Sequence, residues 1–182
     1  PGYLGEWHAF RQYASNVTGT AAERLYVWIE PDLLPGYAWS FPLPDGRANI
    51  GFGAAVNRAF KEAPCDFLAV LNDDAAADRD WITALIDALT RDKQAGSAAS
   101  QVKLHGADDK LDSAGMLIAA DGTSKQRGHG ESSISFFTEE EVLLASGSAS
   151  MYRAEMLDET GGFDDDYFLY CEDTDLGLRA RW

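Results

Sequence analysis

Asp66-Phe67-Leu68-Ala69-Val70-Leu71-Asn72-Asp73-Asp74 is a short apolar run that stops abruptly on polar residues. Continuous apolar character without alternation predicts a strand buried on both faces, of the kind found in a parallel sheet. Its carboxyl end is where an open sheet of that type presents ligand-binding groups. Upstream, residues 54–63 are predicted to be helical. Downstream, residues 80–89 carry apolar side chains at helical spacing, residues 95–104 read as a strand region, and residues 111–118 as an extended piece leading into a turn at Asp121-Gly122. Residues 122–135, rich in Gly, Ser and charge, read as a mobile loop. Residues 139–144 lead to a small-residue strand over 145–152, and residues 153–159 form a short helix. This alternation of helix and strand predicts the α/β class.

Before residue 53 the chain has a different character. Arg24-Leu25-Tyr26-Val27-Trp28-Ile29-Glu30 alternates as a half-buried strand should, and Pro31-Asp32-Leu33-Leu34-Pro35-Gly36 ends it. Tyr37-Ala38-Trp39-Ser40-Phe41-Pro42-Leu43 and Arg47-Ala48-Asn49-Ile50-Gly51-Phe52-Gly53 then flank Pro44-Asp45-Gly46, residue types that suit a tight reversal, so a β-hairpin is expected. Trp28, Tyr37, Trp39 and Phe41 supply an aromatic stripe for it to bury. The chain thus divides into an antiparallel strand segment, residues 1–53, packed on an α/β unit, residues 54–182.

The whole sequence has 182 residues, 46% hydrophobic and 25% charged, enough for one substantial core. Its formal charge of −15 repels phosphate backbones, so nucleic acid is not an expected partner. No transmembrane segment is expected, because no stretch approaches the roughly 18 apolar residues of a spanning helix. Pro1-Gly2-Tyr3-Leu4-Gly5-Glu6-Trp7 has neither the basic region nor the apolar run of a signal peptide. The expected location is cytoplasmic or membrane-peripheral. Cys65 and Cys171 have no metal-site spacing and are expected as reduced, partly buried thiols.

From Gly51 onward the motifs follow in a particular order. They are Gly51-Phe52-Gly53-Ala54-Ala55-Val56-Asn57-Arg58, Val70-Leu71-Asn72-Asp73-Asp74, Leu111-Asp112-Ser113-Ala114-Gly115, Gly161-Gly162-Phe163-Asp164, and Phe168-Leu169-Tyr170-Cys171-Glu172-Asp173-Thr174-Asp175-Leu176-Gly177-Leu178-Arg179. In this order they resemble the family 2 glycosyltransferases, rhamnosyltransferase-like branch, with the GT-A nucleotide-sugar fold. The resemblance implies a truncated GT-A-like (Rossmann-like) sheet with helices, beside the N-terminal antiparallel hairpin. Residues 1–53, through Asp32 to Gly51, instead resemble the aromatic substrate-lining segment of the geranylgeranyl reductase flavoproteins, which implies a mosaic joined near Gly53. No flavin is expected, since Gly51-Phe52-Gly53 has Val56 where a Rossmann phosphate loop needs its third glycine.

The resemblance implies a nucleotide-sugar donor, a hydroxyl acceptor and a divalent metal. Hard oxygen ligands at Asn72, Asp73 and Asp74 suit Mn²⁺ or Mg²⁺ on a diphosphate, with Asp74 matching the last acid of the family's D-x-D element and Asn72 standing at its first position. An inverting transfer needs a carboxylate to take the acceptor proton, and the resemblance assigns it to the Glu-Asp pair, Asp173 with Glu172 as neighbour or alternate. Acids at the first turn of a helix are also favourable to the macrodipole without any catalytic role. Asp112 and Ser113 stand as donor-sugar contacts, and Gly147 and Ser148 as a place where substrate approaches the backbone closely. The acidic run from Glu155 to Asp175 does not make an EF-hand, because Leu169 occupies the glycine position of a loop beginning at Asp164. His129 reads as an exposed loop histidine. The family's opening base-binding units are replaced by the reductase-like piece, and the sequence stops soon after Glu172-Asp173, so weak or absent turnover is expected. The rival expectation is a non-catalytic chimeric domain, structural or binding, with the hairpin edge as a candidate homodimer contact.

Overall fold

The computed structural model describes residues 52–62, 65–72, 74–107, 109–167 and 170–181, and the backbone of four short strands before them. Those four are β1 (Ala14–Ser15), β2 (Tyr26–Trp28), β3 (Ala38–Ser40) and β4 (Arg47–Ala48). The rest of the chain runs α1 (Phe52–Glu62), β5 (Phe67–Leu71), α2 (Trp81–Arg91), β6 (Ser97–Ala99), β7 (Gln101–Lys103), β8 (Leu111–Ala114), β9 (Met116–Ile118), β10 (Ser124–Gln126), a 3₁₀ turn (Ser133–Phe136), β11 (Ala149–Arg153), α3 (Ala154–Thr160) and α4 (Glu172–Arg179). The class is mixed α/β.

The central sheet has the order β5-β11-β6, with β11 antiparallel to both neighbours. The parallel sheet expected around residues 66–71 is therefore corrected: β5 pairs with β11 in antiparallel register, Phe67 opposite Arg153 and Leu71 opposite Ala149. A continuous apolar run does not report strand direction. The expected burial on both faces holds for the central strand β11 but not for β5, which ends the sheet with Phe67, Leu68 and Val70 half-buried and Ala69 and Leu71 exposed. On one side Tyr152, Leu68 and Val70 join Phe52, Val56, Met156, Leu157, Phe163 and Leu176; on the other Met151 and Phe67 join Leu85 and Leu89 of α2.

Several boundaries differ from the sequence reading. Helix α1 begins at Phe52, so Phe52 and Gly53 are helical and not the end of a hairpin strand. Phe52 packs edge-on against Phe163, ring centroids 5.4 Å apart, and a Cβ on Gly53 would lie 2.9 Å from the Phe163 Cβ. The strand region 95–104 breaks at Ser100, because β6 pairs with β11 whereas β7 pairs with β8. The small-residue strand begins only at Ala149, and residues 145–148 turn before it. Residues 122–135, expected as a mobile loop, contain β10 and the 3₁₀ turn. Backbone bonds hold this segment to β8, among them Ala114 N–H to Arg127 O (2.8 Å) and Leu111 N–H to Glu131 O (2.9 Å). Its glycines supply left-handed turns, as Gly128 does at φ 74°, and polar composition alone did not distinguish such turns from mobility.

In the N-terminal segment β2 pairs antiparallel with β3, and β1 with β4. The reversal expected at Pro44-Asp45-Gly46 lies outside the described residues, as do the aromatic side chains of the segment. Cys65 and Cys171 are free, as expected, but exposed and not partly buried. Among the described residues no helix is long and apolar enough to cross a membrane.

Two polar locks position the C-terminal half. Arg153, at the end of β11, donates to the carbonyls of Leu89 (2.6 Å), Asp92 (3.2 Å) and Ala95 (3.1 Å), satisfying the exit of α2 with a cation where the helix dipole favours one. Asn57 on α1 accepts from Phe163 N–H (2.9 Å) and donates to Phe163 O (2.7 Å) and Asp165 Oδ1 (2.9 Å). Its amide thus pairs with a distant main chain as a strand would.

Candidate active site

The apolar strand β5 delivers Asn72 to the edge of a turn, where the Asn72 N–H donates to Ser148 O at 2.9 Å. Next to Ser148, the Gly147 N–H donates to Asp173 Oδ2 at 3.1 Å. The Asp173 Oδ1 accepts from its own helix, at 2.7 Å from Thr174 N–H. Thr174 Oγ1 in turn donates to Ser124 Oγ of β10 at 2.9 Å. The carboxyl end of β5, the 145–148 turn, the start of α4 and β10 therefore form one hydrogen-bonded chain. Residues 72, 147, 148, 173 and 124 meet only through the fold.

Helix α4 enters this chain under backbone strain. Tyr170 and Cys171 both have left-handed conformations, at φ 65° and 67°, which non-glycine residues rarely adopt. Two consecutive residues of this kind reverse the chain so that Glu172 turns inward at the first residue of the helix. Gly147 permits the close approach, since a Cβ there would lie 2.9 Å from the Phe52 ring. Further along α4, Arg179 donates to Thr160 O (2.7 Å), Gly162 O (2.9 Å) and Asp175 Oδ2 (2.8 Å), fixing the helix against the end of α3.

The two acids of the pair differ. Glu172 is 3% exposed, and its Oε2 is buried without a hydrogen bond among the described residues. Burial pushes its carboxyl up to about 7, with the neighbouring Asp173 charge adding to the shift. Burial also raises Asp173, against the lowering effect of the Gly147 and Thr174 hydrogen bonds. The Tyr152 hydroxyl, buried on β11 beneath them, is raised chiefly by burial and also by the Asp173 and Glu172 charges; Ser150 lies beside it outside hydrogen-bond geometry. Low local polarity around a carboxylate pair is a recurrent property of proton-transfer sites.

The remaining expected residues fall around this centre. Asp112, buried on β8, accepts from Gln126 Nε2 at 2.9 and 3.0 Å on its two oxygens. Ser113 is buried with an Oγ that has no hydrogen bond among the described residues, and Ser146 and Ser148 share a hydroxyl bond of 2.9 Å. Asp74 is exposed at the turn after β5, and Asp73 lies outside the described residues. Among the described residues no three His, Cys, Asp or Glu side chains converge into an all-protein metal cage. Asn72 and Asp74 instead offer the sparse oxygen donors that suit a hydrated divalent cation sharing its shell with phosphates. Sequence reasoning missed Gln126, Ser124 and Thr174. The first two sit two residues apart in a stretch that read as loop, and no local pattern announces a partner on another element.

The family described as Glycosyl transferase family 2 matches residues 45–161. The chain is also similar to the N-acetylglucosaminyl-diphospho-decaprenol L-rhamnosyltransferase of Mycobacterium tuberculosis, in strains CDC 1551 / Oshkosh and ATCC 25618 / H37Rv. In both, identity is 29% over 171 residues, covering 77% of this chain and 53% of the relative. The chain spans about half the length of the curated relatives it matches. The Glu172-Asp173 pair follows the family match by eleven residues or more.

Proposed function

Since the chain belongs to glycosyl transferase family 2, we propose that it carries the catalytic half of an inverting transfer of a sugar from a nucleotide donor to a hydroxyl acceptor, with Asp173 as the base. The observation that carries this reading is the bond from Gly147 N–H to Asp173, which joins the carboxylate to the turn that closes the end of β5. An acceptor hydroxyl oxygen attacks the anomeric carbon, the bond from that carbon to the diphosphate oxygen breaks, and the hydroxyl proton passes to Asp173. Partial burial strengthens Asp173 as a base, while the Gly147 and Thr174 N–H groups hold its orientation. Glu172, buried beside it and protonated below about pH 7, adds no competing charge at the site under mildly acidic conditions.

Asp74, with Asn72 and Asp73, would hold Mn²⁺ or Mg²⁺. When bound, that metal supplies charge neutralisation for the departing diphosphate. Asp112, Ser113, Gly147 and Ser148 line the substrate side. Turnover by these 182 residues is slow in this reading, because the sequence before residue 53 resembles a reductase segment and not base-binding units, and donor positioning alone carries about 7–11 kcal/mol of a barrier.

The test has two stages. A nucleoside diphosphate with Mn²⁺ at about 100 times its dissociation constant should stabilise the chain by roughly 2.7 kcal/mol in thermal unfolding. Asp173→Asn should keep that stabilisation and lower sugar transfer by about 10²–10⁴-fold. Wild-type turnover in Asp173→Asn would remove Asp173 from the base role, and fast turnover by the wild type would overturn the expectation of slow transfer.

A further inference from the structure

His129 is the exposed loop histidine its surroundings in sequence imply, but its ring is tied to β8. Its Nδ1 lies 2.9 Å from the carbonyl oxygen of Asp112 and 3.6 Å from the carboxylate Oδ1 of the same residue. A carbonyl oxygen only accepts, so Nδ1 must carry the proton in this contact. In the neutral ring the lone pair then resides on Nε2. That nitrogen has no partner among the described residues, and the side chain is 43% exposed.

The group behind the ring is built and not incidental. Asp112 is 8% exposed, and both its oxygens accept from the Gln126 amide. Gln126 and Ser124 are two residues apart on β10 and so lie on the same face of that strand. Ser124 is bonded to Thr174, the residue after Asp173. Gly128 and Gly130, at φ 74° and 75°, bracket His129 with turns that set the ring against β8. The cluster therefore shares one face of β10 with the start of α4. A carboxylate, an amide and an imidazole acceptor held together beside a transfer site match the planar polar groups that receive ring hydroxyls.

We propose that Asp112, Gln126 and His129 form a recognition site for sugar hydroxyls beside the Asp173 centre, with His129 Nε2 accepting the hydrogen bond of a ring hydroxyl and Asp112 and Gln126 fixing the ring's tautomer and orientation. This rests on the sugar-transfer reading above. The sugar belongs either to the donor or to the acceptor, and the chemistry of the contact is the same in both.

The wild-type chain, ¹⁵N-labelled on histidine, should show the His129 Nδ1–H tautomer in long-range nitrogen-proton spectra, with the Nε2 signal moving when a sugar is added. In parallel, titrations with Mn²⁺ would compare UDP with UDP-glucose, dTDP with dTDP-glucose, and a panel of methyl glycosides, for the wild type and His129→Ala. The expected result is that His129→Ala leaves nucleoside diphosphate affinity unchanged and removes a sugar-dependent gain of about 5–10-fold, the worth of one hydrogen bond. Loss on the nucleotide sugars assigns the site to the donor, and loss on the methyl glycosides to the acceptor. An Nε2–H tautomer in the wild type, or sugar affinities indifferent to His129→Ala, would overturn the proposal. Absence of nucleoside diphosphate binding by the wild type would instead count against the donor reading, leaving the tautomer and methyl-glycoside arms to decide His129.

Discussion

Replacing Asn57 by Ala is expected to loosen the lock between α1 and the Gly161-Gly162-Phe163-Asp164 segment. The substitution removes the acceptor of the Phe163 N–H and the donor to the Phe163 carbonyl, at 2.9 and 2.7 Å. Phe163 is 2% exposed and sits edge-on to both Phe52 and Tyr152, so water does not easily replace the lost partners. An unsatisfied buried polar group costs about 1–3 kcal/mol, and two of them, partly relieved by relaxation, give about 3 kcal/mol. For a chain of this size that corresponds to a fall in Tm of about 6–12 °C. Circular dichroism melts and urea unfolding at neutral pH would measure it. Asn57→Asp provides the control, because it keeps an acceptor for Phe163 N–H but sets a carboxylate against Asp165, now 2.9 Å from the amide nitrogen. Adding Asp165→Asn to Asn57→Asp should recover part of its loss. A fall below about 2 °C for Asn57→Ala would mean instead that the Phe163 main chain is satisfied without Asn57.

Three further outcomes are expected. Glu172 holds its proton more tightly in the folded chain than its ordinary 4.5 allows, so wild-type stability should fall as pH rises from about 4.5 to about 7; Glu172→Gln should gain about 3 kcal/mol relative to wild type between pH 4 and pH 8, and parallel pH profiles for the two would contradict this. Gly177→Ala should destabilise by about 1 kcal/mol despite the better helix propensity of alanine, because the new Cβ would lie 2.2 Å from Leu144 Cδ2 in a packed site; a raised Tm in a thermal melt would show that Leu144 yields freely. Arg153→Ala should cost about 2 kcal/mol in urea unfolding by releasing the Leu89 and Asp92 carbonyls at the end of α2 and the Ala95 carbonyl before β6, with Arg153→Lys recovering part of it.

Local and periodic features were readable before the fold was known. The helices over 54–63, 80–89 and 153–159 were legible within a few residues because apolar spacing and helix-compatible composition are properties of neighbours. Motif order was legible too, and it carried the family. Strand direction was not, since Phe67 to Leu71 reads as apolar whether its partner runs parallel or antiparallel, and only the pairing with Ala149–Arg153 decides it. Nor was the order within residues 122–135, where the polar side chains that suggested mobility are bonded to β8 and α4. The character of Glu172-Asp173 belongs to the same class. Two acids in sequence are ordinary, and their raised proton affinity arises from burial, as a left-handed pair at Tyr170-Cys171 turns Glu172 into the core, while a turn more than twenty residues upstream supplies the N–H that orients Asp173 and partly offsets its shift. Burial and hydrogen bonding depend on which distant segments meet, and that information exists only once the chain has closed on itself.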